Sequence, residues 1–346
     1  MLRLRASAGS GKDWLLISMA LLAPLMLASA LMGQQPSSAP VAYNGMCDAS
    51  AAILAGGRVL VLNDEDQEQT LLRLFSIRKG GLPQKTFQLD TSSLALDPDE
   101  PEIDLEAAAV LGQKLFSIGS HSRSRKAKLR VSRQRLFAVR WPLRPQGDLV
   151  RVEGQVYKSL LTDLEATWRA NQESGLATLN LDKELPPEEG GVSIEGMAST
   201  MQGGLLIGFR SPVVARKALV AHLQNPEDML KGRSPHFAST TMLDLDGDGV
   251  RDIIRDGSGY LVLSGAVGSG KTFGLYRWPG PGKEARLLQR KPVSQLGVDK
   301  EGFPEALVRD PKSGDVLLFL DEGDACKEGN HKGFDSVRLR IPSPSE

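Results

Sequence analysis

The 346 residues predict an all-β fold, a β-propeller of about six blades within a range of five to seven. Three observations lead there. A motif of polar-x-polar-small residues recurs along the chain, each copy is followed by a glycine turn and a short apolar strand, and helical periodicity is scarce. The composition, 41% hydrophobic and 24% charged, is that of a globular protein and excludes a disordered chain, a collagen-like chain and a polytopic membrane protein. Lysine plus arginine equals aspartate plus glutamate at 42 each. That balance removes any global argument for a nucleic-acid partner, so only local patches can speak for a polyanion.

At the N-terminus, Arg3, Arg5 and Lys12 precede an apolar run from Trp14 to Met32, which reads as an export signal. Ala28-Ser29-Ala30 fits the small-x-small cleavage pattern, giving a signal over 1–30, a linker over 31–42 and one propeller domain over 43–342. The run is also long enough to remain as an uncleaved anchor helix, and membrane contact is expected only in that case. Either way the expected address is extracytoplasmic: periplasmic, secreted or anchored.

The repeat follows. Asp48-Ala49-Ser50-Ala51-Ala52, Asp104-Leu105-Glu106-Ala107-Ala108 and Ser193-Ile194-Glu195-Gly196-Met197 each lead into an apolar strand, Val59–Leu62, Leu115–Ile118 and Leu205–Phe209. Ser50 to Glu65, Glu106 to His121 and Glu195 to Arg210 are all 15 residues apart, with a fourth copy from Glu305 to Asp321 at 16 and a degenerate fifth between Asp252 and Ser264. Small sheets of this kind cannot bury both faces alone and must stack around an axis, which makes a propeller. The repeated polar positions then converge at one mouth of its channel.

Between the strands, Leu160, Leu161, Leu164 and Trp168 have helical spacing and predict one short helix over 158–170. Leu181 to Gly191 is an acidic loop, and the alternation Leu219, Ala221, Leu223 favours a strand before Asn225-Pro226. Gly265-Ala266-Val267-Gly268-Ser269-Gly270-Lys271-Thr272 matches the phosphate-binding loop, but Gly274 and Pro279 leave no room for the helix that loop requires. A hairpin tip is expected over 265–272, and no nucleotide.

Asp244, Asp246, Asp248, Gly249 and Asp252 occupy positions 1, 3, 5, 6 and 9 of a calcium loop, with Arg255 where the bidentate glutamate belongs. Two readings stand: a weak Ca2+ site on Asp244, Asp246, Asp248 and Asp252, or an acidic turn paired with Arg251 and Arg255. Cys47 and Cys326 lie near the two ends of the mature chain. Ring closure by terminal strands would bring them together, and an oxidising compartment would allow a disulfide.

The motifs at 46–52, 63–66, 103–108, 119–123, 194–197 and 208–212 resemble those of the bacterial Domain of Unknown Function family 3616, in order and over about residues 43–322. The resemblance implies an exported or envelope propeller without an established activity. The Asp-rich loop at Asp244 departs from the glycine-rich loop expected there in that family.

Eight basic residues lie between Arg123 and Arg140, and strand alternation would put Arg133 and Arg135 together on the apolar side of their strand. Such arginines need carboxylate partners or an anion. The expected ligand-binding set is therefore Asp104, Glu106, His121, Arg133, Arg135, Glu195 and Arg210, and no residue is assigned to catalysis. Two functions fit: a binding module for an anionic small molecule or an envelope protein partner at the channel mouth, or a calcium-assisted phosphoester or related hydrolase.

Overall fold

The structure, a computed structural model, describes residues 39–63, 70–144, 147–298, 302–323 and 333–342. The expected signal or anchor over 1–30 and most of the linker lie outside the described residues, as do Glu65 and Cys326. Among the described residues no helix is long and apolar enough to cross a membrane.

The chain opens with β1 (Val41–Asn44). A first blade-like sheet follows, β2 (Ala51–Ala55), β3 (Arg58–Leu62), β4 (Leu71–Ser76) and β5 (Gly80–Asp90); the second is β6 (Leu105–Leu111), β7 (Lys114–Gly119) and β8 (Leu136–Arg140). After β9 (Leu149–Arg151), which lies parallel to β5, comes the third, β10 (Ser193–Ser199), β11 (Leu205–Val214), β12 (Lys217–Leu223) and β13 (Phe237–Asp244). The fourth is β14 (Gly249–Asp256), β15 (Gly259–Gly265), β16 (Thr272–Trp278) and β17 (Arg286–Pro292), and the fifth is β18 (Phe303–Arg309), β19 (Val316–Asp321) and β20 (Gly333–Leu339). β1 pairs antiparallel with β20, so the start of the chain supplies the last sheet's fourth strand.

The first strands β2, β6, β10, β14 and β18 touch their neighbours in turn, and β18 touches β2, which closes a ring. The core is correspondingly divided into five wedges, one between each pair of adjacent blades. Side-chain alternation explains the division. In β3, Leu60 and Leu62 enter the wedge against the second blade, while Val59 and Val61 enter the wedge against the fifth. A strand buried on both faces reads as a continuous apolar run, as Leu317 to Leu320 does.

The described residues form five blade-like sheets, at the lower edge of the expected range and one fewer than the central expectation of six. The difference is the stretch 141–192, which builds no sheet of its own. It carries β9, helix α1 (Leu160–Ala170), whose Leu160, Leu164 and Trp168 fill the wedge between the second and third blades, and a short turn at Pro187–Glu189. Isolated bridges from Val152 and Tyr157 cover the edge of β8, where a fourth strand would lie. The helix expected at 158–170 and the strand expected before Asn225 are both present. Residues 266–271 join β15 to β16 with Gly265 opposite Phe273, so the phosphate-loop lookalike is a hairpin tip and the chain continues from Thr272 as a strand.

A charged ring at one channel mouth as the candidate functional site

The five inner strands run in one direction, so their first residues share one mouth of the channel. At that end, four of the first hairpins carry a register shift, which leaves one residue of the inner strand bulged. The bulged residues are Glu106 in β6, Glu195 in β10, Arg251 in β14 and Glu305 in β18. Ser50 holds the corresponding place just ahead of β2. A bulge re-aims the side chain it carries. Here it turns three glutamates and one arginine toward a common centre.

Arg251 is that centre. Its Nη1 lies 3.2 Å from Glu195 Oε2 and also donates to Glu305, while Phe303 packs on its guanidinium at 4.6 Å. Burial opposes the charge on Arg251, but the fields of Glu195, Glu305, Glu106 and Asp321 outweigh it and hold the group firmly protonated. Arg210 takes the other oxygen of Glu195, Nε to Oε1 at 2.9 Å. One buried carboxylate is thus shared by two guanidinium groups. Arg210 contacts Glu195 through Nε, and its two terminal amino groups donate to no described residue.

The second blade supplies the neighbouring cluster. Arg133 reaches Asp104 at 2.9 Å, Glu102 at 2.8 Å and the Ser122 hydroxyl at 2.7 Å. Ser120 donates to Asp104 and lies 2.8 Å from the Ser122 hydroxyl. Burial raises the Asp104 carboxyl above its ordinary value, against the pull of Arg133 and the two serines. Asp104 stands in the left-handed region at φ 56°, as does His121 at 57°, a conformation that costs a non-glycine residue energy. Glu195 raises the Asp104 carboxyl further and Glu106 acts on Arg133, so the clusters of the second and third blades form one electrostatic unit.

Asp104, Glu106, Arg133, Glu195 and Arg210 therefore gather at the mouth as the sequence suggested. His121 and Arg135 do not join them. The structural counterpart of Arg210 is Ser120 rather than His121, because the first hairpin of the third blade is one residue longer than that of the second. One residue of slip changes the face of the strand. His121 is buried with Nδ1 2.9 Å from the Gly119 carbonyl oxygen, and burial lowers its imidazole to about 4, so it stands neutral. Arg135 is separated from Arg133 because residues 131–133 form a 3-10 turn and the strand begins only at Leu136. Its guanidinium donates to the carbonyl oxygens of Leu94, Ala95, Val131 and Gln134, a structural role. Elsewhere in the basic run Arg123 pairs with Asp182, and Lys128 and Arg130 both pair with Glu100.

The acidic loop is also drawn apart. Asp244 Oδ1 accepts from the Asp246 amide, Asp246 is exposed, and Asp248 takes Arg290 at 3.0 Å and the Ser264 hydroxyl at 3.1 Å. Asp252 lies inside β14, where its carboxylate accepts from the Ile253 and Leu307 amides at 2.7 Å each, tying the fourth blade to the fifth. Among the described residues no three His, Cys, Asp or Glu side chains group to hold a metal ion. The strand that starts at Gly249 removes Asp252 from the loop that the calcium pattern requires. Of the expected disulfide pair, Cys47 is buried beside the mouth, and Cys326 lies outside the described residues.

Sequence reasoning did not place Arg251 in this site, and it left Glu305, the start of the fourth repeat copy, out of the ligand-binding set. The degenerate fifth repeat was aligned on Asp252, one residue beyond the bulge, and a bulge leaves no mark in spacing alone. The opposite mouth differs: a cavity of about 500 Å3 is lined there by the ends of the inner strands, including Ala52, Ala108, Met197, Ile254 and Val308.

The model of the protein family of unknown function DUF3616 matches residues 48–140 and 160–297. The chain belongs to the DUF3616 family. No curated protein matches this DUF3616 chain. Among solved structures it is similar to an exo-β-1,3-galactanase from Clostridium thermocellum, 9% identical at a TM-score of 0.50, over 87% of this chain and 63% of that one. A GH43 β-1,3-galactosidase with galactodeoxynojirimycin aligns at 0.48, 9% identical, over 89% and 95%. An exo-β-1,3-galactanase from Phanerochaete chrysosporium with β-1,3-galactotriose aligns at 0.49, 8% identical, over 89% and 65%. At such identities the likeness concerns the fold of this DUF3616 member alone.

Proposed function

We propose that this DUF3616 protein is an exported binding module that holds a small acidic ligand at the charged mouth of its channel. The observation that carries the reading is the state of Arg210, whose Nε is committed to Glu195 while both terminal amino groups donate to no described residue. A guanidinium so oriented offers two parallel donors to a carboxylate or similar anion, the geometry that makes arginine the usual choice for such groups. Arg210 and Arg251 are recessed, with side chains 15% and 8% exposed, which suits a small molecule better than a flat protein surface. The basic and apolar first forty residues support export.

Calorimetric titration of the purified protein with acetate and related small acids tests the reading. Arg210→Gln, which keeps a polar side chain but loses the fork, should weaken acid binding by about tenfold or more. Equal affinity in the variant would remove Arg210 from the site.

A further inference from the structure

The inner strands change character along their length. Those that carry a charged bulge near their start run on into apolar segments, Ala107 to Leu111 in β6 and Ala306 to Val308 in β18 among them. Because the five strands share one direction, these segments meet at the far mouth and enclose the cavity of about 500 Å3. That volume lies within the roughly 300–1,000 Å3 of small-molecule sites. Alanine at Ala52, Ala108 and Ala198 keeps the walls short, so the space is left open where longer side chains would fill it.

Arg255 and Arg309 also line the cavity, and they differ. Arg309 is part-buried with its Nε 3.7 Å from Asp256 Oδ1, so its charge is matched. Arg255 is exposed at the rim, as is Leu54, and it makes no ion pair with any described residue. Among the described residues no aspartate or glutamate lines the cavity. A wholly apolar ligand would cover the walls but take water from Arg255 without replacing it. A small hydrophilic anion would pair with Arg255 and leave the walls wet, and an exposed ion pair alone contributes little. A ligand with both a chain and an acid group satisfies wall and rim together.

We propose that the far mouth is a second binding site, for a free single-chain amphipathic acid of the fatty-acid type. Its chain lies along the aliphatic walls and its carboxylate on Arg255. The cavity has room for one chain of moderate length, which favours a free acid over a two-chain lipid held in a bilayer. Each methylene that leaves water should strengthen binding by up to about fourfold. The site is at the opposite end of the channel from Arg210, and the two sites stand or fall separately.

Calorimetry on the full chain at pH 7 compares butanoate, octanoate, octanol and octylammonium. Octanoate should bind about tenfold or more tighter than butanoate and about threefold or more tighter than octanol, and its affinity should persist in Arg210→Gln. Arg255→Glu reverses the rim charge at an exposed position. It should weaken octanoate about fivefold or more and raise octylammonium above octanol, a gain that unfolding cannot produce. Binding through the apolar run Trp14 to Met32 would be indifferent to Arg255. Octanoate binding no tighter than butanoate or octanol, or an octanoate affinity unchanged by Arg255→Glu, would overturn the proposal. Loss of octanoate binding in Arg210→Gln would also overturn it, by placing the acid at the charged mouth.

Discussion

At the scale of single residues, Arg251 and Arg210 share Glu195 yet should behave differently when removed. Arg251→Ala removes the cation shared by the buried Glu195 and the part-buried Glu305 and leaves Glu195 to Arg210, a loss of up to about 3–5 kcal/mol. Arg210→Ala leaves Glu195 still paired with Arg251 and should cost clearly less, while abolishing acid binding. Urea denaturation of the two variants beside the parent decides the order. Asp252 gives a pH signature. Burial raises its carboxyl to about 7, despite the two backbone amides that favour the charged form. Because the folded-state value lies above the unfolded one, the stabilising contribution of the protonated group is complete below about pH 4 and declines until about pH 7. Melting temperatures across that window should show a falling component. In Asp252→Asn that component should vanish, with lower stability throughout, because an amide oxygen cannot accept from both the Ile253 and Leu307 amides as the carboxylate does. A parent profile identical in shape to that of the variant would show that Asp252 does not titrate there.

At the scale of elements, the contact between the third and fourth blades at the mouth is made by backbone. A Cβ added to Gly249 would stand 1.9 Å from the Arg210 carbonyl oxygen, and neither strand can yield without disturbing both bulges. Gly249→Ala should therefore destabilise by at least the 1–3 kcal/mol or so typical of overpacking, and weaken acid binding with it, read by thermal melting and calorimetry together. The hairpin tip at 266–271 predicts the opposite insensitivity: millimolar ATP should leave the melting temperature unchanged, and an ATP-dependent rise would restore the nucleotide reading. These elements also show what was legible in the sequence. The strands were, because burial on both faces writes continuous apolar runs such as Val59–Leu62. The helix at Leu160 was, because its buried side chains keep helical spacing. The bulges were not: they insert one residue without changing composition, so equal spacing pointed to His121 where the structure has Ser120, and the degenerate copy was set on Asp252 where the structure has Arg251.

At the scale of the whole molecule, closure depends on four residues. β1 supplies the last strand of the fifth blade and touches β5 of the first, with Tyr43 stacked on Phe334 at 4.9 Å. A chain beginning at Gly45 should lose the single sharp unfolding transition of a closed ring, read by calorimetry, whereas one beginning at Pro40 should keep it. The disulfide expected between Cys47 and Cys326 would reinforce the same seam, and peptide mapping of the oxidised protein should recover the two cysteines in one linked fragment. The seam also fixes a direction. β1 runs toward the charged mouth and β20 runs away from it, with Val41 opposite Ser336, so the chain enters at Val41 and leaves beyond Leu339 side by side on the far face. The described ends of the chain, Val41 and Leu339, therefore lie on the face opposite Arg210 and its ring, and neither stands in the way of dissolved ligand reaching them.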